Sequence, residues 1–223
     1  MIAMVLMSAA TLGQQQDPAF ALRWMPKVGE KQVFEIFLSI EAPDSPALVV
    51  EAAMESEVIK VSPKEYAVRT RSLGALFGSG GQQTRDDRPN TREIRFTNLG
   101  ELIEIASGNK AVASYQQAML TRFISPENPP RIREGWVVER KKDNPKGLAQ
   151  NRIEYKLLGI EQGGAKVSFS FREIGPSSPQ SAEGHWWVDV ATGQPNRMEC
   201  TVKNFLGVAG STATIKMTRR VSG

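Results

Sequence analysis

Nucleophilic and acid–base catalysis draw most often on histidine and cysteine, and the chain has one of each, His185 and Cys200. The alternation around them decides how each reads. His185, Trp187 and Asp189 share one side of an extended segment, opposite Trp186, Val188 and Val190. In the next segment Met198, Cys200 and Val202 form an apolar row against Arg197, Glu199, Thr201 and Lys203. Cys200 therefore reads as a core residue and His185 as a surface residue, neither as a catalyst. Trp187, a large aromatic among polar neighbours, is the better candidate for ligand contact, lining a groove or lying beneath a covering helix.

Other chemistries fare no better. No Cys/His set with metal-ligand spacing exists, and Asp86-Asp87 and Asp143-Asn144 lack the alternating oxygen ligands of a calcium loop, so neither metal nor cofactor is expected. Glu51, Glu55 and Glu57 qualify for carboxylate-dependent hydrolysis only because folding brings distant carboxylates together. Gly78, Gly80 and Gly81 are not a phosphate loop, because no Gly-Lys-Ser/Thr follows. They fall within Gly74 to Asn90, which reads as a long loop, either disordered or a lid in which Leu76 and Phe77 close over a ligand. Ile174 to Ser181 reads as a second mobile loop.

The formal charge of +4 and pI near 9.3 would imply an anionic partner if the cations were concentrated. They are not. The densest basic stretch, Arg131 to Lys146, is interrupted by Glu134, Glu139 and Asp143, and Trp136 is its only aromatic residue for stacking, so it reads as a solvated face rather than a nucleic-acid site.

The elements that must position these residues are mainly strands. Phe34/Ile36/Leu38/Ile40, Val50/Ala52/Met54, Tyr66/Val68/Thr70, Ile94/Phe96, Ile153/Tyr155/Leu157, Val167/Phe169/Phe171 and Ala213/Ile215/Met217 all alternate with polar residues. One-sided alternation marks antiparallel sheet with a solvated back. One segment departs: Val112, Tyr115, Met119 and Phe123 recur at helical spacing, predicting a helix over Asn109–Phe123, capped by Ser107 or Asn109 and stopped before Pro126. The expected fold is mainly β (α+β), a strongly curved antiparallel sheet or half-barrel of about ten strands with the helix on its concave face. Turns at Ser62-Pro63-Lys64 and Asn98-Leu99-Gly100 are echoed by Gln162-Gly163-Gly164 and Ala191-Thr192-Gly193, suggesting two pseudo-repeated halves.

The N-terminus indicates a compartment. Ile2 to Leu12 is an apolar and small-residue run ending at Gly13, which reads as a secretory signal peptide over 1–13 although no Lys or Arg precedes it. It falls short of the ~20 residues of a membrane span. With Cys200 far away, no lipid anchor is expected at the cleavage site, and one cysteine allows no internal disulfide. A disordered segment over 14–21 and a single β-rich domain over 22–223 complete the organisation, and the oligomeric state is not specified.

The segment Pro126-Glu127-Asn128-Pro129-Pro130-Arg131-Ile132-Arg133-Glu134-Gly135-Trp136 follows Asn98-Leu99-Gly100-Glu101-Leu102 and precedes Val188-Asp189-Val190-Ala191-Thr192-Gly193-Gln194-Pro195. On these motifs the chain, over Trp24 to Thr218, resembles a domain-of-unknown-function family of exported bacterial β-rich proteins, similar to the half-barrel envelope domains that carry lipoproteins or lipids. It departs from that pattern where Glu134 precedes Gly135 instead of an acidic residue following it, and in lacking a lipoprotein-type cysteine. The resemblance implies no catalytic residues. The first expectation is a non-enzymatic binding or carrier module for a lipid or an apolar protein segment, periplasmic or extracellular; the second is a cell-envelope interaction or scaffold module; the third is a carboxylate-dependent hydrolase.

Overall fold

The structure is a computed structural model that describes residues 19–161 and 164–220. The expected signal peptide 1–13, the segment 14–18 and the turn residues Gln162-Gly163 lie outside the described residues. Of the segment expected to be disordered, residues 19–21 are described, and there Phe20 N donates to Pro130 O at 3.0 Å.

The first half of the chain forms β1 (Lys31–Glu41), β2 (Leu48–Val61), β3 (Glu65–Ser79), β4 (Gln82–Asp86), β5 (Thr91–Thr97) and β6 (Leu102–Ser107). After the helix α1 (Val112–Leu120) come β7 (Gly135–Arg140), β8 (Gln150–Glu161), β9 (Gly164–Ile174), β10 (Ser181–Asp189), β11 (Pro195–Lys203) and β12 (Thr212–Arg220). All join one antiparallel sheet in the order β6-β5-β3-β2-β1-β12-β11-β10-β9-β8-β7, with β4 paired to the far end of β3. Read from β7, this is a simple meander that runs through β12 and continues into β1. The halves suggested by the repeated turns are thus two meanders laid end to end and joined by the β1–β12 ladder.

The sheet is open but strongly curled. Ten inter-strand steps of about 4.8 Å would hold β6 and β7 roughly 48 Å apart in a flat sheet. Instead Arg140 Nε, at the end of β7, lies 3.6 Å from Glu101 Oε2, immediately before β6. The connection from β6 to β7 fills the gap between these edges. Ser125 N donates to Leu99 O, Trp136 Nε1 to Ile124 O, and Arg133 N to Leu157 O, so the linker is stitched to both sides. Gly100 permits the close approach of this linker, and Gly193 that of the N-terminal arm. Gly100 (φ +97°) would place a Cβ 2.5 Å from Phe123 O, and Gly193 (φ +69°) would place one 2.3 Å from the Arg23 carbonyl.

The helix is shorter than its sequence pattern predicts. It begins after Ala111, which caps it without a side-chain bond, while Asn109 Oδ1 accepts from Ala111 N in a turn outside it. It ends at Leu120, where Thr121 Oγ1 bonds Gln117 O. Phe123, expected on the helix, is instead an irregular-segment residue sunk into the core against Trp136, Tyr155 and Trp186. Tertiary burial of Phe123 and Ile124 outweighs one more helical turn.

Most of Gly74 to Asn90 is likewise not a loop, and only 87–90 is irregular. The far end of β3 pairs with β4 from Ala75↔Asp86 to Ser79↔Gln82, with Gly80-Gly81 as the two-residue turn at positive φ. This hairpin adds β4 to the sheet, which has twelve strands where about ten are expected. The Ile174–Ser181 connection is a true loop, but its end is tied down: Gln180 is fully buried, its N–H bonded to Glu173 and its Oε1 accepting from Leu206 N.

Candidate functional site

The concave face is covered unequally. Across β8 to β12 the inward row is closed by Leu22, Leu120, Phe123, Ile124 and Phe205, and Trp186, Leu157, Val167, Met198 and Val202 lose nearly all contact with solvent. Across β1 and β2 the inward row of Ile36, Leu38, Ile40, Val50, Ala52 and Met54 is only half-buried. The reason is length: nine helical residues span about 13 Å. Their packing face, Tyr115 and Met119, is used on Ile105 of β6 and on Leu148, away from β1 and β2.

A cavity of 220 Å³ remains between α1 and this part of the sheet. Its floor is Ile36, Ala52, Met54 and Ile94, and its roof is Ser114, Gln117, Ala118 and Thr121. Thr70, Ser72, Asn90 and Arg92 line the side toward β3 and β5. Arg92 follows from the alternation of β5, which points residues 92, 94 and 96 inward; Ile94 and Phe96 are buried, and Arg92 stands opposite buried Thr70. Among the described residues Arg92 has no carboxylate partner. Burial alone lowers its pKa from the ordinary arginine value, and it stays charged at neutral pH. A cation at the end of an apolar floor, with hydroxyls and amides around it, suits an amphiphilic anion.

A larger depression of 610 Å³ lies on the outer face, where β2 and β3 slip register at Ala52/Met54. Its rim mixes signs, Glu35 and Glu51 against Arg85, Lys216 and Arg220, with Arg220 bound to Glu35 and Arg85 to Asp87. Largely self-compensated charge over an open surface selects poorly for a ligand, and the smaller inner cavity is the better-formed site.

The sequence-derived candidates scatter. Leu76 and Phe77 do not act together, because adjacent strand residues face opposite ways. Leu76 lies in the outer depression beside Arg85, while Phe77 pairs with Val50 on the inward row, 36% exposed. Trp187 is on the outer face, not beneath the helix, with the Arg197 guanidinium 4.4 Å and the Lys166 ammonium 5.7 Å from its ring. His185 packs beside it at 6.0 Å between ring centroids. Cys200 is buried, and burial pushes its thiol up to about 12, so it holds no thiolate at neutral pH. Glu51, Glu55 and Glu57 line the outer face of β2, with Glu55 paired to Arg71. No group of three metal-binding side chains occurs among the described residues. Arg92 is the residue that sequence reasoning missed; its position before Ile94 and Phe96 in the alternating row was the available signal.

No family model matches the chain, and no curated protein matches its sequence. Among solved structures it is similar to a DUF1329 family protein from Desulfovibrio piger, at 10% identity and a TM-score of 0.30, over 87% of this chain and 86% of that one. A likeness this low bears on neither fold nor function. Among the described residues no helix is long and apolar enough to cross a membrane.

Proposed function

We propose that the protein is an exported, non-enzymatic binding or carrier module whose concave face, at β1 to β3 beneath α1, receives the apolar part of a lipid or protein segment. The single observation that carries this reading is the unequal covering of one continuous apolar row, closed over β8 to β12 and left only half-buried at Ile36, Leu38, Ile40, Val50 and Ala52. A fold that needed the helix only as a lid on its core would gain by covering this row as well, at about 25 cal/mol for each Å² of apolar surface removed from water. Export, to the periplasm or the cell exterior, is supported by the apolar run Ile2 to Leu12.

The test is binding of a fluorescent fatty-acid probe to purified protein, with extraction and mass spectrometry of whatever co-purifies from native membranes. Saturable probe binding, lost in Ala52→Trp with the thermal transition retained, is the expected result. Absence of any bound lipid, peptide or probe overturns the reading.

A second reading, an interaction module, draws on a different place. The groove of 450 Å³ between Pro126–Pro130 and β7 runs beside an edge strand whose Val137 is 48% exposed. An extended peptide adds to such an edge through main-chain hydrogen bonds. A pull-down from envelope extract that loses its partner on Val137→Pro would favour it.

A further inference from the structure

The neighbours of Arg92 make its isolation informative. Arg69 and Arg71, on the adjacent strand, bind Glu93 and Glu55, and Arg95, three residues along β5, holds both Glu65 and Glu104. These pairs lie on the outer face of the sheet. Arg92 points inward, into the 220 Å³ cavity, where no carboxylate among the described residues meets it. A guanidinium half-withdrawn from water without a counter-charge costs stability, which a bound anion would recover through two parallel charge-assisted hydrogen bonds.

We propose that Arg92 reads the head of the ligand, and that the ligand is a single-chain amphiphile with a carboxylate head, a fatty acid or an equivalent acyl carboxylate. This rests on the apolar-ligand reading above and narrows it. The carboxylate sits on Arg92, within reach of the Thr70 and Ser114 hydroxyls and the Gln117 amide that line the same space. The chain then follows the floor from Ile36 and Ala52 to Leu38 and Val50, and out at Ile40 and Leu48, which pair in that order across the β1–β2 ladder. From Ile36 to Ile40 the strand rises about 13 Å, a length that seats most of a medium acyl chain. One cation matches one negative charge. A cavity of 220 Å³ is below the ~300–1,000 Å³ usual for a whole ligand, and it holds one head and the start of one tail but not a two-chain lipid.

Calorimetric titration of the purified protein with dodecanoate, dodecanol and dodecyl phosphate at pH 8, on wild type, Arg92→Gln and Arg92→Lys, tests this. Wild type is expected to prefer dodecanoate over dodecanol by about tenfold, the preference vanishing in Arg92→Gln and falling to an intermediate value in Arg92→Lys. Equal affinity for acid and alcohol in wild type, or an unchanged ratio in Arg92→Gln, overturns the role of Arg92 while leaving the apolar-ligand reading in place. Tighter binding of dodecyl phosphate than dodecanoate overturns the carboxylate assignment. Failure of all three amphiphiles to bind overturns this proposal together with the lipid arm of the underlying reading. Should Arg92→Gln fail to fold, the wild-type ratio carries the test: it must fall toward one as pH is lowered through the ligand's own carboxyl titration, and a ratio that stays constant overturns the proposal.

Discussion

Ile36 of β1 stands directly beside Met217 of β12 on the inward face, yet Met217 is 5% exposed while Ile36 is only half-buried. The border between the packed and the open part of the concave face runs between these two side chains. It coincides with the ladder that joins the two meanders, so the second meander supplies most of the core and the first supplies the open surface.

This border has an energetic signature. Trp186→Ala, on the packed side, is expected to cost about 3–5 kcal/mol, and Ile36→Ala, on the open side, only about 1 kcal/mol. Urea unfolding followed by tryptophan fluorescence and circular dichroism measures both; equal costs would mean that the first meander is packed as tightly as the second.

Arg122, just past the helix, has its guanidinium carbon 5.0 Å from the Trp24 ring, 5.2 Å from Tyr66 and 4.7 Å from Phe96, and its Nη2 donates to the Tyr66 hydroxyl. It bolts the helix exit to β3, β5 and the N-terminal arm. Arg122→Leu keeps the volume and removes the charge, and should lower stability by about 2 kcal/mol without touching the Arg92 pocket. Loss of fatty-acid binding in a folded Arg122→Leu protein would argue against that separation.

Gly100→Ala introduces a methyl group against the Phe123 carbonyl at a backbone angle that side chains rarely adopt. A loss of about 2 kcal/mol or more is expected, and a lowered melting temperature measures it. Gly159→Ala, whose added carbon meets open space, is the control and should lie within about 1 kcal/mol of wild type.

Alkaline pH should unfold the protein through its buried acids. The Cys200 thiol rises from its ordinary 9.0 to about 12 in the folded state, and burial also raises the Tyr66 and Tyr155 hydroxyls. Below pH 9 folded and unfolded chains both hold the Cys200 proton, and it contributes no pH dependence. Between pH 9 and about 12 the unfolded chain releases a proton that the folded chain keeps, so stability falls as pH rises, with a limiting slope of about 1.4 kcal/mol per pH unit. Cys200→Ala should flatten this decline, in urea titrations at pH 8, 9 and 10; an identical decline in the variant would show that the tyrosines dominate. Cys200 should also resist thiol reagents at pH 8 until the chain is unfolded.

Much of the architecture was legible in periodicity alone. The alternation of Phe34 to Ile40, Val167 to Phe171 and Met198 to Val202 identified inward rows correctly, because a strand has no choice but to send successive side chains to opposite faces. The same rule should have separated Leu76 from Phe77, but the glycines around them read as loop chemistry when they mark the turn of the β3–β4 hairpin. The helical spacing that includes Phe123 was real as a pattern and false as a boundary, since a buried aromatic satisfies the same spacing from an irregular segment.

By itself the sequence determined which residues are apolar on which face, that antiparallel strands dominate, and that the lone histidine and cysteine sit on opposite faces of adjacent strands. These are local properties, set by stereochemistry and hydrophobicity within a few residues. Only the tertiary structure decided that β1 pairs with β12, that the sheet curls until Arg140 meets Glu101, and that a nine-residue helix leaves Ile36, Ala52 and Arg92 facing a cavity. Those outcomes depend on pairings across as many as 187 residues, as between Val33 and Arg220, and on how far one short helix reaches over a curved surface. No local pattern encodes either distance.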